Sequence, residues 1–355
     1  MSELKHRFIT TNGIQMHIAE QGEGPLVVLC HGFPESWYSW RHQLQALADA
    51  GYHAVAPDQR GYGQTDKPQA IDQYTQLHLV GDIVGLVDAL GEENAVVVGH
   101  DWGAPVAWNA ALLRPDRFRG VAALSVPYTP RGPAAPLPTL KAIFGDLFFY
   151  ILYFQEPGRA EAELETDVRL TLRKTLYSAS GSIPGPATMP APRPKEGTGF
   201  LTTMTDPAEL PAWLTEADLD YFTAEFTRTG FRGGLNWYRN MDRTWELMAA
   251  WNGAKVTVPA LFITGDRDPV LTFRGAGVQA LKENVPNLRE SITLPGVGHW
   301  TQQENPEAVN AALIAFLRGL DYFDGREMEL QCNLHACRLT FAGLPQSRAY
   351  VGCPG

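Results

Sequence analysis

The stretch VVVGHDWGAPVAW, Val96 to Trp108, constrains the fold of this chain more than any other segment. Its β-branched run reads as a buried strand, Gly99 to Gly103 as a tight turn, and the alanine-rich continuation as a helix. Strand, turn and helix in that order belong to an open, mostly parallel sheet covered by helices. At the carboxyl end of such a strand, where open α/β sheets bind ligands, the frame Gly-x-Asp-x-Gly projects its central residue upward. That residue is Asp101. Gly99 and Gly103 are expected to permit a strained backbone and close packing. The amide dipoles of the following helix favour an ionised carboxylate. The alternative is an aspartate that only caps the helix, and the motif alone leaves both readings open.

The rest of the chain repeats the strand–helix rhythm. Residues 14–20, 26–30, 53–57, 95–100 and 120–126 read as strands. WYSWRHQLQALADA, LHLVGDIVGLVDAL and APVAWNAALLR read as helices, the first ending at Gly51 as a C-cap does. From 127 to 245 no buried β run occurs, and SIPGPATMPAPRPKEGTG, with five prolines, reads as a loop. The α/β pattern then returns with ALFIT, SITLPGVGH and a helix over 306–320. The expected architecture is one α/β core (1–126 and 246–320) interrupted by an inserted helical cap (127–245). Residues 321–355 lack any period and are read as a tail, either disordered or foreign to the natural protein, with no function assigned.

Composition narrows the partners. The formal net charge is −10, and no basic run stands out, which argues against nucleic acid and anionic membrane. No apolar run reaches the ~18 residues of a membrane span, and the start lacks the apolar region of a signal peptide; a cytoplasmic protein is expected. Cys30 reads as a small buried residue. Cys332, Cys337 and Cys353 form no disulfide framework, and the spacing around His335 matches no zinc pattern.

An aspartate at the elbow points to a particular chemistry. Serine attacking a saturated carbon would leave an ether, which water does not readily cleave. Aspartate leaves an ester, which it does. HGFPESWYSW follows the strand ending at Cys30, so the N–H groups of Phe33 and Trp102 are candidates for an oxyanion hole. In TGDRDPV, Asp268 is the choice for an acid that orients a histidine, with Asp266 as alternate; either is otherwise a loop cap. GVGHW supplies His299. The order nucleophile, acid, histidine is that of α/β-hydrolases.

GHDWG, HGFPESWYSW, YILYFQEPGRAEAELE, GLNWYRNMDRTW and GHWTQ together resemble the α/β-hydrolase-fold epoxide hydrolases, especially the soluble group. The resemblance runs over about 8–320, with no phosphatase-like N-terminal domain. It implies two cap tyrosines, Tyr150 and Tyr238, that bind the epoxide oxygen, and it ranks Tyr153 as a neighbouring decoy. It implies hydrolysis of hydrophobic epoxides to vicinal diols: Asp101 forms an alkyl ester, and water activated by His299 cleaves it. No cofactor or metal is expected, and monomer and homodimer are both left open. Glu35 is a candidate for positioning the water, or else a surface or turn carboxylate. Trp102, Phe33, Phe148, Phe149 and Trp300 are candidates to line an apolar pocket. Haloalkane dehalogenase is the nearest alternative, but Phe33 brings no side-chain donor for a halide. A non-catalytic ligand-binding protein on the same fold is the other.

Overall fold

The computed structural model describes residues 2–185 and 191–321. The last 34 residues, 322–355, and with them the three tail cysteines and His335, lie outside the described residues, as does part of the proline-rich loop.

Eight strands form one sheet: β1 (Lys5–Thr11), β2 (Ile14–Gln21), β3 (Leu26–Cys30), β4 (His53–Pro57), β5 (Ala95–His100), β6 (Phe118–Leu124), β7 (Ala260–Gly265) and β8 (Leu288–Leu294). Their order is β1-β2-β4-β3-β5-β6-β7-β8. β2 is antiparallel to both β1 and β4, and every pair from β4 to β8 is parallel. The central strands are apolar throughout because both their faces are covered. Alternate side chains go to opposite sides: Val28 and Val97 join one buried cluster, Val27, Leu29, Val96 and Val98 the other.

Helices cover the two faces. α1 (Arg41–Asp49) lies on one side; α2 (Gln76–Ala89) and α3 (Gly103–Leu113) lie on the other. The stretch read as one helix from Trp37 begins as a 3-10 turn, Trp37–Trp40, because Ser36 accepts the Tyr38 N–H there. Between β6 and β7 come α4 (Pro136–Phe144), α5 (Tyr150–Tyr153), α6 (Arg159–Leu164), α7 (Val168–Ser178), α8 (Glu216–Thr229), α9 (Arg232–Arg239) and α10 (Met241–Leu247). The only β pairing among the described residues of this segment is a bridge between Leu147 and Pro194. Phe154, Leu172, Leu219 and Phe222 are fully buried in the same cluster as the α2–α3 side of the sheet. This helical segment therefore shares a buried cluster with the sheet.

After β7 come α11 (Leu271–Gln279) and α12 (Leu281–Asn284), and after β8 come α13 (Thr301–Glu304) and α14 (Pro306–Asp321). α14 packs beside α1, burying Leu313 and Leu317. Its helix extends one residue past the expected end at Leu320. Among the described residues no helix is long and apolar enough to cross a membrane.

Candidate active site

Asp101 leaves β5 with φ +51, in the left-handed region that costs energy for any residue with a Cβ. Its carbonyl accepts the Ala104 N–H at 3.0 Å, which closes the turn into α3. The strained residue is thus Asp101 itself and not either flanking glycine. The glycines allow the close packing expected from the sequence: a Cβ on Gly99 would stand 2.0 Å from Gly103 O, and one on Gly103 would stand 2.0 Å from Cys30 O. Nor does the Asp101 carboxylate cap α3, whose N-cap residue, Trp102, makes no side-chain cap bond. Asp101 Oδ1 accepts the Phe33 N–H at 2.8 Å, and Oδ2 lies 3.2 Å from His299 Nε2.

His299 sits in the loop after β8, between two carboxylates. Its Nδ1 is 3.1 Å from each oxygen of Asp268. Asp268 follows β7, is buried, and also accepts the Val270 N–H at 2.8 Å. Asp266, the alternate, is exposed and accepts Gly296 N–H at 2.7 Å, so it caps the β8 loop. Burial disfavours charge on His299, but Asp268 and Asp101 outweigh it and raise its pKa well above the ordinary histidine value. Burial likewise opposes charge on Asp101, and is overcome by the His299 hydrogen bond and charge, with help from the Phe33 N–H; its pKa is lowered. At neutral pH the arrangement is an imidazolium donating to a carboxylate on either side.

A cavity of about 620 Å³ opens above this pair. Asp101, His299, Phe33, Tyr150, Tyr238 and Trp300 line it, together with Phe148, Phe149, Phe154 and Phe200. Trp102 does not; it borders a smaller neighbouring hollow. Tyr150 begins α5 and Tyr238 lies on α9, with ring centroids 6.1 Å apart. Burial first, then the Asp101 charge, pushes both phenols above their ordinary pKa, so they stay protonated. Tyr153 is absent from the cavity wall, and its hydroxyl donates to Glu163 at 2.8 Å.

Glu35 is fully buried, which removes the surface reading. It accepts the Gly32 N–H at 2.8 Å, His100 Nδ1–H at 2.7 Å, and the amides of Gln302 and Gln303, both at 3.1 Å. His100 in turn donates Nε2–H to the His299 carbonyl at 2.7 Å. The pair ties together the loops after β3, β5 and β8. Sequence reasoning missed His100, although it lies next to Asp101 inside the quoted motif. It does not border the cavity, and no spacing rule marks such a partner. Among the described residues no cluster of His, Cys, Asp or Glu is arranged to hold a metal.

Tyr238 is positioned by a backbone seam. A Cβ on Gly233 of α9 would stand 2.0 Å from Gly61 O, in the loop after β4. Trp237 Nε1–H donates to Arg60 O at 3.1 Å in the same loop, and Arg60 is anchored to Asp82 of α2 at 2.6 Å.

With the carboxylate-bearing turn, the acid and the histidine at the ends of β5, β7 and β8, the architecture is that of an α/β hydrolase. A family profile described as alpha/beta hydrolase fold matches residues 25–196. Epoxide hydrolase A of Mycobacterium tuberculosis is 51% identical over 319 residues, 89% of this chain and 98% of that protein. Among solved structures, epoxide hydrolase A from Mycobacterium thermoresistibile is 52% identical with a TM-score of 0.85, covering 89% of this chain and 99% of that one. An epoxide hydrolase from an endophytic Streptomyces is 50% identical with a TM-score of 0.87, covering 90% and 96%. The chain belongs to the epoxide hydrolases of the α/β-hydrolase fold.

Replacing Asp101 by Asn removes one of the two charges that hold the His299 proton. NMR titration of the imidazole should then give a His299 pKa below that of the native protein; an unchanged value would mean that Asp101 does not act on it. Gly233→Ala forces α9 away from Gly61 and carries Tyr238 with it. A displacement of about 1 Å at a reacting group costs on the order of 10²-fold, so kcat for diol formation should drop by tenfold or more while the circular dichroism spectrum stays native.

Proposed function

We propose that this enzyme opens hydrophobic epoxides through a covalent ester on Asp101. The observation that carries the reading is the Asp101 carboxylate, held by Phe33 N–H and His299, on the wall of the same cavity as the Tyr150 and Tyr238 phenols. Aromatic walls suit an apolar epoxide and strengthen polar contacts by excluding water. On this reading residues 127–245 act as a cap that brings the phenols to the substrate.

In the first step Asp101 attacks a ring carbon and the carbon–oxygen bond breaks. Tyr150 and Tyr238 hold the departing oxygen, and one phenol gives it a proton. Ester formation also erases the negative charge of Asp101. His299 then loses one of the two charges that raise its pKa, releases its proton, and so replaces the one the phenol gave. The imidazole is left neutral, held by Asp268 and ready to act as a base.

In the second step His299 takes a proton from water, and the resulting hydroxide attacks the ester carbonyl carbon. The N–H groups of Phe33 and Trp102 stabilise the oxyanion. Collapse breaks the acyl–oxygen bond, His299 returns the proton to the leaving alkoxide, and the diol departs. Asp101 keeps the oxygen from water and passes that oxygen's remaining proton to His299, which restores the resting carboxylate and imidazolium. Glu35 acts at one remove in this scheme: with His100 it holds the oxyanion loop and the histidine loop in register, and so sets where the water lies.

His299→Gln should form the ester and fail to cleave it, so intact-protein mass spectrometry after exposure to styrene oxide should show the substrate's mass added. A single turnover of native enzyme in heavy-oxygen water should yield diol free of label; label in the diol on that first turnover rules out the ester. Tyr150→Phe should leave measurable turnover, since one phenol remains, whereas Tyr150→Phe with Tyr238→Phe should lose nearly all of it. Release of halide from haloalkanes faster than diol from epoxides would favour a dehalogenase instead.

A further inference from the structure

A second hollow, of about 60 Å³, adjoins the main cavity. Asp101, Tyr150 and Tyr238 border both, whereas His299 borders only the larger. The reacting groups thus stand where two spaces of unequal size meet. About 10–15 Å³ of such space holds one water, so the smaller hollow accepts a short group and no long chain.

Its wall is apolar apart from the reacting groups and one cation, Arg274 of α11. Arg274 is half-buried. It makes no ion pair and no side-chain hydrogen bond among the described residues, and its guanidinium lies 6.0 Å from the ring centroid of its neighbour Phe273. Elsewhere the buried guanidinium groups of Arg41, Arg60 and Arg239 are paired with Asp218, Asp82 and Glu161. The carboxylates of the site are not free to serve Arg274: Asp101 and Asp268 both face His299. A cation that has shed part of its water without gaining an anion is a costly arrangement in a protein. Its charge reaches the reaction centre, where it acts on Tyr150.

We propose that the small hollow receives the short substituent of the epoxide, and that Arg274 there binds a carboxylate on that substituent while the apolar remainder fills the main cavity. This rests on the reading of Asp101 and the two tyrosines as the reacting groups. The substrate class is an epoxide with an aryl or alkyl group on one ring carbon and a carboxylate on, or one methylene from, the other. Such an acid is repelled by Asp101 and by a chain of net charge −10. Recognition therefore needs a dedicated cation, and guanidinium suits carboxylate through paired N–H donors.

The test compares phenylglycidate with its neutral amide, which has nearly the same shape. Native enzyme should show the higher kcat/KM for the acid, and the preference should shrink as salt is added. Arg274→Gln should lower the acid-to-amide ratio by about tenfold or more, the scale of one hydrogen bond between charged groups. Arg274→Lys should keep much of the ratio, which separates charge from packing. An acid-to-amide ratio equal in the native enzyme and Arg274→Gln overturns the proposal. So does refusal of the acid by an enzyme that converts styrene oxide. Failure to make diol from styrene oxide as well would overturn the reaction itself, and this subsite with it.

Discussion

The site depends on a buried row of three charges, carboxylate, imidazolium, carboxylate, formed by Asp101, His299 and Asp268. Burial opposes charge on Asp101 and on His299. They remain ionised because each is the other's partner, and the Phe33 N–H serves the Asp101 oxygen turned away from His299; the Val270 N–H adds a bond to Asp268 Oδ1, which also faces His299. A histidine between two acids does not act as a base while both are charged. It becomes one when either charge is removed, and a covalent bond to Asp101 removes one. In the proposed mechanism the order of the two chemical steps is thus contained in the electrostatics of the resting site, and the base stays idle until there is an ester to hydrolyse.

Such a row is useful only if three loops keep their spacing. The ends of β3, β5 and β8 carry Phe33, Asp101 and His299, and no backbone ladder joins them beyond the strands. The Glu35–His100 pair does so from below. Glu35 accepts four hydrogen bonds, from Gly32, His100, Gln302 and Gln303. His100 faces an oxygen at each nitrogen, Glu35 on one side and the His299 carbonyl on the other. Removing either partner would leave buried polar atoms of the other unsatisfied, which costs more than the hydrogen bond itself contributes.

What could be read from the chain follows from where side chains face. The inner strands were legible because burial on both faces makes them apolar runs. β1 was missed since most of KHRFITT is exposed at the sheet edge, where charged residues such as Lys5 and Arg7 leave no apolar alternation. α11 was missed for a similar reason: it buries no residue, and Gly275 and Gly277 interrupt it. Asp101, Asp268 and His299 were legible together because strand, turn and chain order constrain them. Tyr150 and Tyr238 were not, because they sit on helices with no spacing rule between them, and only resemblance to a family singled them out. Glu35 was visible as a residue, but its burial and its partner His100 depend on contacts between segments far apart in sequence. Arg274 gave no sign at all, since an arginine without an acid nearby is noticed only once the surrounding groups are placed.

The two tyrosines are held by different means, and the difference matters for precision. Their spacing to each other is set within the helical segment. Arg239 of α9 donates to Phe154 O at the end of α5 and pairs with Glu161 of α6 at 2.8 Å, and Gln155 donates to Tyr238 O at 3.2 Å. Their distance from Asp101 is set across the seam between α9 and the loop after β4, where backbone meets backbone at Gly61 and Gly233. Long side chains at such a seam would have rotamers to choose from, and each choice would shift the phenols. Two glycines offer no choice. Close-packed backbones are stiff, so the helices that carry the phenols share one frame with the strand that carries the carboxylate. The proposed reaction, with attack on one side of a ring and proton donation on the other, requires that frame, because neither group alone can correct for a displacement of the other.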